Sequence, residues 1–187
     1  GTSPRSTGET TLRVASMASA VPHYWKVAAS DGRFTTASIV RSFTSDTYKR
    51  VKINTSTSGA GISSDLAHFP VLVRLNSSNF DFSNAMANGE DIRFSKADNT
   101  LLPYQIERWS AGLERAEMWV RADTVYGAND SQFVVMYFND AGKSDSSNGE
   151  AVFDTADGWC GVWHLDEKGL GTKRMDVTAY SNDLTWG

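Results

Sequence analysis

The chain has 187 residues, of which 40% are hydrophobic and 21% charged, the balance of a globular protein with a real core. No apolar run approaches the roughly 20 residues that a membrane-crossing helix needs. A net charge of −4, with Lys and Arg dispersed, supplies no basic stripe and argues against a nucleic-acid partner. The single cysteine, Cys160, excludes an internal disulfide and a cysteine-based zinc site, and is compatible with export.

Residues 1–11 are rich in Gly, Ser, Thr and Pro and read as a flexible end with no apolar leader region, so a signal for export would have to precede them. From Tyr24 the residues alternate in character, Asp31-Gly32 supplies a turn, and a second β-rich run extends from Thr35 to Phe43. The two runs predict a β-hairpin. It resembles the last two strands of a fibronectin type III domain, on a Tyr24-Trp25-Lys26-Val27 strand and a final strand ending in Ser42-Phe43-Thr44. A hairpin alone is marginal in water, so this one requires a packing partner.

From Tyr48 short strands alternate with turn residues, which predicts an all-β fold, an antiparallel, jelly-roll-like β-sandwich behind the N-terminal hairpin. Tyr48 to Asn54 alternates between two faces. Phe69 to Leu75 and Gln132 to Phe138 are apolar on both faces and read as buried inner strands. Asp91 to Ser95 alternates again, and Asp81 to Asn88 allows a helical turn or two; no longer segment keeps a 3.6-residue period.

Leu102 to Trp109 and Ala116 to Asp123, joined by Ser110-Ala111-Gly112-Leu113-Glu114, read as one hairpin. The simplest register sets Ile106 opposite Met118 and Tyr104 opposite Val120, giving one apolar face. It also sends Gln105, Glu107 and Trp109 to the other face, beside Arg115, Glu117, Trp119 and Arg121. Val162 to Leu165 and Leu184 to Trp186 are candidates for short closing strands.

The succession YKRVKI, FPVLVRLN, NGEDIRF, LLPYQIERW, AEMWVRADTV, FVVMYFND and VFDTADGWCGVWHLDE, between Tyr48 and Leu165 and continuing to Glu167, resembles an uncharacterised domain family of bacterial secreted multidomain proteins. The resemblance implies a β-sandwich accessory module at 46–160, with a partial fibronectin-like hairpin at 12–45. Residues 161–187 resemble the start of a laminin-G or concanavalin-A-like lectin domain, on the Trp163-His164-Leu165 stretch and the Asp176-to-Asn182 segment. It further implies a secreted or cell-surface setting, flanking domains of the parent chain as partners, and frequent association with polysaccharide degradation or adhesion.

Two aromatic rings among hydrogen-bonding side chains suit a sugar, whose C–H face stacks on a flat ring while its hydroxyls meet polar groups at the rim. Trp109, Trp119, Gln105, Glu107, Glu117 and Arg121 are therefore the candidate ligand-binding set, with a polysaccharide or glycan as ligand. The competing reading packs the Trp rings under a loop or the hairpin, with Asp91 and Arg93 joining an ion-pair network. Read this way, the module is a structural spacer.

Glu107 and Glu117, directly opposed at a Cβ separation of roughly 4.5–5.5 Å, also have the spacing of a glycosidase acid pair. A glycoside hydrolase fragment is thus a further reading, although Arg93, Arg115 and Arg121 stand ready to neutralise both carboxylates. His23, His68 and His164 lack metal-ligand spacing, and no nucleophile motif or phosphate-cradling loop is present. No catalytic residue and no metal ligand is assigned. Asp154, Asp157, Asp166, Glu167 and Asp176 lie in loops of the kind that hold Ca²⁺, without the spacing of an EF-hand.

Overall fold

In the computed structural model, residues 22–30, 32–44, 47–165 and 173–185 are described. The expectations for residues 1–11, Asp31, Asp166, Glu167 and Trp186 lie outside them. The chain divides into two compact units, Gly1–Ser45 and Asp46–Gly187.

In the first unit, β1 (Pro22–Trp25) pairs antiparallel with β4 (Arg41–Thr44), and β2 (Ala28–Ser30) with β3 (Thr35–Ala37). The expected hairpin is therefore present as two short ladders. Gly32, at φ +88°, takes the left-handed conformation the turn requires. Ser38 stitches the ladders: its hydroxyl accepts from the Val27 N–H, and its own N–H donates to the Val27 carbonyl.

The second unit is an all-β sandwich of two antiparallel sheets, as the alternating strands predict. One sheet has the order β6-β10-β9, from β6 (Leu66–Asn76), β9 (Tyr104–Ser110) and β10 (Arg115–Val125). The other has the order β5-β11-β7-β8, from β5 (Thr47–Lys52), β7 (Arg93–Ser95), β8 (Leu101–Leu102) and β11 (Phe133–Phe138). Val73 and Leu75 from β6, Met118, Val120 and Ala122 from β10, and Val134 and Met136 from β11 are buried in one core with Phe94, Leu102 and Tyr104. These positions follow the period of two that puts alternate side chains on one face. A short 3-10 turn at Phe82–Asn84, capped by the Asp81 carboxylate accepting from the Ser83 N–H, adds Phe82 to that core.

Two strand assignments need correction. The run from Leu102 to Trp109 is not one strand: the chain changes sheets at Pro103, so that Leu102 pairs with Phe94 in the four-stranded sheet while Tyr104 pairs with Val120 in the other. Pro103 has no N–H to give either ladder, and its carbonyl instead accepts from the Arg121 N–H. Val162 to Leu165 forms no strand either. Val162 makes one backbone bond, from the Val177 N–H to its carbonyl, in an otherwise irregular segment.

β6 is buried on both faces along its centre, as its composition predicts, yet it is an edge strand of its sheet. On its outer side Pro70 is buried and Leu72 half-buried, and His68 on the same side meets Asp157 of the later chain. That later chain comprises α1 (Gly149–Val152), a 3-10 turn at Thr155–Asp157 and an irregular run to Leu165. A two-stranded ribbon, β12 (Lys173–Arg174) with β13 (Leu184–Thr185), closes the described residues.

Candidate functional site

The β9–β10 hairpin carries every residue of the candidate ligand set. Its register sets Ile106 opposite Met118 and Tyr104 opposite Val120, as the apolar pattern predicts, but it shifts between Met118 and Glu117. Beyond the shift Arg108 faces Glu117 and Trp109 faces Ala116. Glu107 is thus the extra residue of a β-bulge. One extra residue inverts the alternation of everything after it.

The bulge overturns two geometric expectations. Trp109 does not share a face with Trp119: it turns inward against Phe80 and Phe82, at ring-centroid distances of 6.1 and 5.2 Å. Gly89, at φ +75°, makes room for it, since a Cβ there would lie 2.7 Å from the Trp109 ring. The Trp109 indole N–H is buried with no hydrogen-bond partner. Glu107 and Glu117 are also not opposed. The Arg108 guanidinium grips Glu117 through two bonds of 2.5 Å, and Arg74 and Arg115 add positive potential. Arg108 holds the Glu117 carboxyl below the usual carboxylate range, chiefly through those hydrogen bonds.

Glu107 serves a different cluster. Its carboxylate accepts the Trp119 indole N–H at 2.5 Å and lies 3.5 Å from the His164 Nδ1. The other ring nitrogen of His164 is 3.0 Å from the Gln105 Oε1, as a core hydrogen-bonding histidine would have it. Phe153, only 3% exposed, stands edge-on to Trp119 at 5.7 Å and to Trp159 at 5.1 Å, with His164 at 5.9 Å. Val152 is fully buried. Trp119, Phe153, Trp159 and His164 form a second ring cluster on the outer face of the three-stranded sheet.

Hydrogen bonds fasten the covering segment along the edge of β9. The Ile106 N–H donates to the Ser147 hydroxyl, and the Asn148 N–H to the Tyr104 carbonyl, both at 2.8 Å. Asn148 then caps α1 by accepting from the Ala151 N–H. Asp154 caps the following turn by accepting from the Ala156 N–H. At the far end Asp157 ties the segment to two strands of the sheet, with Arg121 Nε at 2.8 Å from one oxygen and His68 Nδ1 at 2.6 Å from the other. The His68 contact, then the Arg121 pair, lower the Asp157 carboxyl against the opposing effect of burial. His68 itself sits at φ +51°, a left-handed conformation unusual for a side chain in a strand.

Asp91 and Arg93 do not join this cluster. Asp91 is buried and accepts from the Met86 and Asn139 N–H groups, while Arg93, on the other sheet, donates to the carbonyls of Glu90, Ile92 and Ser144 and to the Tyr104 hydroxyl.

Of the acidic residues proposed for Ca²⁺, three are described and each is otherwise engaged. Asp154 and Asp157 act as above. Asp176 is buried at the centre of a loop, where one oxygen accepts from the Val162 and Thr178 N–H groups and the other from the Asn182 N–H and the Thr178 hydroxyl. Burial pushes its carboxyl up, but these donors outweigh it and bring it down to about 2. Donor hydrogens, not lone pairs, converge there, which suits a carboxylate and repels a cation. Among the described residues no group of three His, Cys, Asp or Glu is placed to hold a metal.

The family described as "Domain of unknown function (DUF2341)" matches residues 88–166. The matched residues take in β7 to β11 and the covering segment, and so include Trp119 and the chain that lies on it. No curated protein and no solved structure matches the chain.

Proposed function

We propose that this chain is a non-catalytic accessory module of an exported bacterial multidomain protein, in which the outer face of the three-stranded sheet seats the chain's own continuation. The single observation that carries this reading is that Trp119, Gln105, Glu107 and Arg121 all spend their polar groups or rings on the 147–165 segment. A sugar platform needs an open ring face and free rim donors; a seat for a connector needs what is found here. The sandwich then fixes where the chain leaves toward its next domain, which is the spacer role, with a fibronectin-like neighbour before it and a lectin-like one after. A glycosidase reading receives no support from the two carboxylates, since one is clasped by Arg108 and the other accepts the Trp119 indole.

The test is a pair of measurements on the full chain carrying Trp119→Ala. The expected result is a lower melting temperature and faster proteolysis within 145–165, with binding to a polysaccharide panel unchanged from the parent. Loss of glycan binding at an unchanged melting temperature would overturn the seat and restore the sugar platform to this face.

A further inference from the structure

The other outer face of the sandwich has not been accounted for. Register places Tyr48, Tyr137 and Arg93 in one row across β5, β11 and β7, then Arg50, Val135, Ser95 and Leu101 in the next, and Lys52 with Phe133 in a third. Directly opposed residues share a face, so these nine side chains lie on one side of the sheet. Tyr48 is 58% exposed and Leu101 66%, with Arg50 and Lys52 exposed beside Tyr48, whereas Val135 and Ser95 are buried and Arg93, half-buried, donates to the Ser144 carbonyl.

Its chemistry is one-sided. The grid holds three aromatic rings and three cations and no Asp or Glu, in a chain whose net charge is −4. The Arg50 guanidinium lies 4.6 Å over the Phe133 ring, and Tyr48 and Tyr137 form a tilted pair with centroids 6.3 Å apart. The Tyr137 hydroxyl is held by the Asn99 side chain at 3.0 Å, fixing that ring's rim. Arg93 spends its hydrogens on carbonyls and a hydroxyl and lines a cleft with Asp91 and Asp140, so Arg50 and Lys52 are the cations that the face presents. Tyr137 and Leu101 also border a cleft of about 450 Å³, shared with Asn99 and the Lys143–Asp140 ion pair. Phe133 and Tyr137 are four residues apart on β11, roughly 13 Å at the rise of a strand, which is the length of a short oligosaccharide rather than of one sugar.

We propose that this face binds an extended acidic polysaccharide, with sugar rings stacking on Tyr48 and Tyr137 and carboxylate or sulfate groups meeting Arg50 and Lys52. Rings without cations would suit a neutral glycan, and cations without rings a diffuse polyanion; here the two are interleaved on one rigid sheet. The inference does not rest on the seat described above, and each can fail alone.

The experiment is affinity electrophoresis and calorimetry of the full chain against polygalacturonate and alginate as carboxylate polymers, heparin and chondroitin sulfate as sulfated ones, cellulose and xylan as neutral ones, and single-stranded DNA. At least one acidic polysaccharide binds, more weakly as salt is raised. Tyr48→Ala and Arg50→Ala each reduce that affinity roughly tenfold, the factor set by about 1.4 kcal/mol, and Trp119→Phe leaves it unchanged. Binding to neutral polymers alone, to none of the panel, or equally to DNA overturns the proposal, as does full affinity in both variants. Should Tyr48→Ala melt early, Arg50→Glu, at an exposed position, gives the same readout without replacing an aromatic residue. Preference within the acidic arms separates uronate from sulfate ligands.

Discussion

The two outer faces of the sandwich are made of the same kinds of residue, aromatic rings set among charges, and they end in opposite states. On the three-stranded sheet Trp119 meets Phe153 and the polar groups of the face have partners: Glu107 with Trp119 and His164, Glu117 with Arg108, Arg121 with Asp157. On the four-stranded sheet the cations have no acidic counterpart in the grid, and the Tyr48 ring faces solvent. A count of Trp and charged residues does not distinguish the two. What does is whether another stretch of chain brings complementary groups to the face.

The largest effect that would break this contrast is at Phe153. Replacing it with Ala removes the ring around which Trp119, Trp159 and His164 gather, and such truncations of buried Phe cost about 3–5 kcal/mol. Urea denaturation should show a loss in that range, with cleavage by protease appearing within 145–165. A loss below about 0.5 kcal/mol would mean that the segment is not held by this cluster.

A finer test sets the two tryptophans against each other. Trp119→Phe removes an N–H that a carboxylate accepts, and should cost about 1–2 kcal/mol. Trp109→Phe removes an N–H that has no partner, so the smaller loss is expected there despite its deeper surroundings. Equal losses by chemical denaturation would show that ring volume, not hydrogen bonding, decides both.

The Asp176 loop offers a pH-dependent test. Its carboxyl is lowered from 3.8 to about 2, so the stability it contributes is fully present above pH 3.8 and is lost as pH falls toward 2. Melting temperature followed across that window should decline in the parent and decline less in Asp176→Asn, which begins lower. The smallest effect belongs to the open face: Tyr48→Ala should leave stability within about 0.5 kcal/mol of the parent. A greater loss would show that Tyr48 is covered in solution.

Much of this architecture was legible because period-two alternation reports directly on which side of a sheet a residue occupies. The pairing of Ile106 with Met118 follows from that alone, and the run at Gln132–Phe138, apolar on both faces, reads as the interior strand that β11 is. Three things were not legible, each for a physical reason. A proline between two apolar residues does not announce that the strands on its two sides belong to different sheets, as at Pro103. An edge strand buried on both faces looks like a central one when later chain covers it, as for β6. A bulge at a polar residue leaves no mark in composition, so Trp109 reads as facing outward with Trp119 when it faces in. The signal that might have exposed it is Ala116: with a bulge, this small residue sits opposite the large ring on the core side.

That bulge makes the hairpin's polarity depend on one unpaired residue. Were Glu107 drawn into the ladder opposite Glu117, the tip of β9 would rotate by half a turn, driving the Arg108 guanidinium toward Phe80 and Phe82 and turning the indole out to water. The cell would see an exposed tryptophan beside a buried unpaired cation, a product fit for degradation.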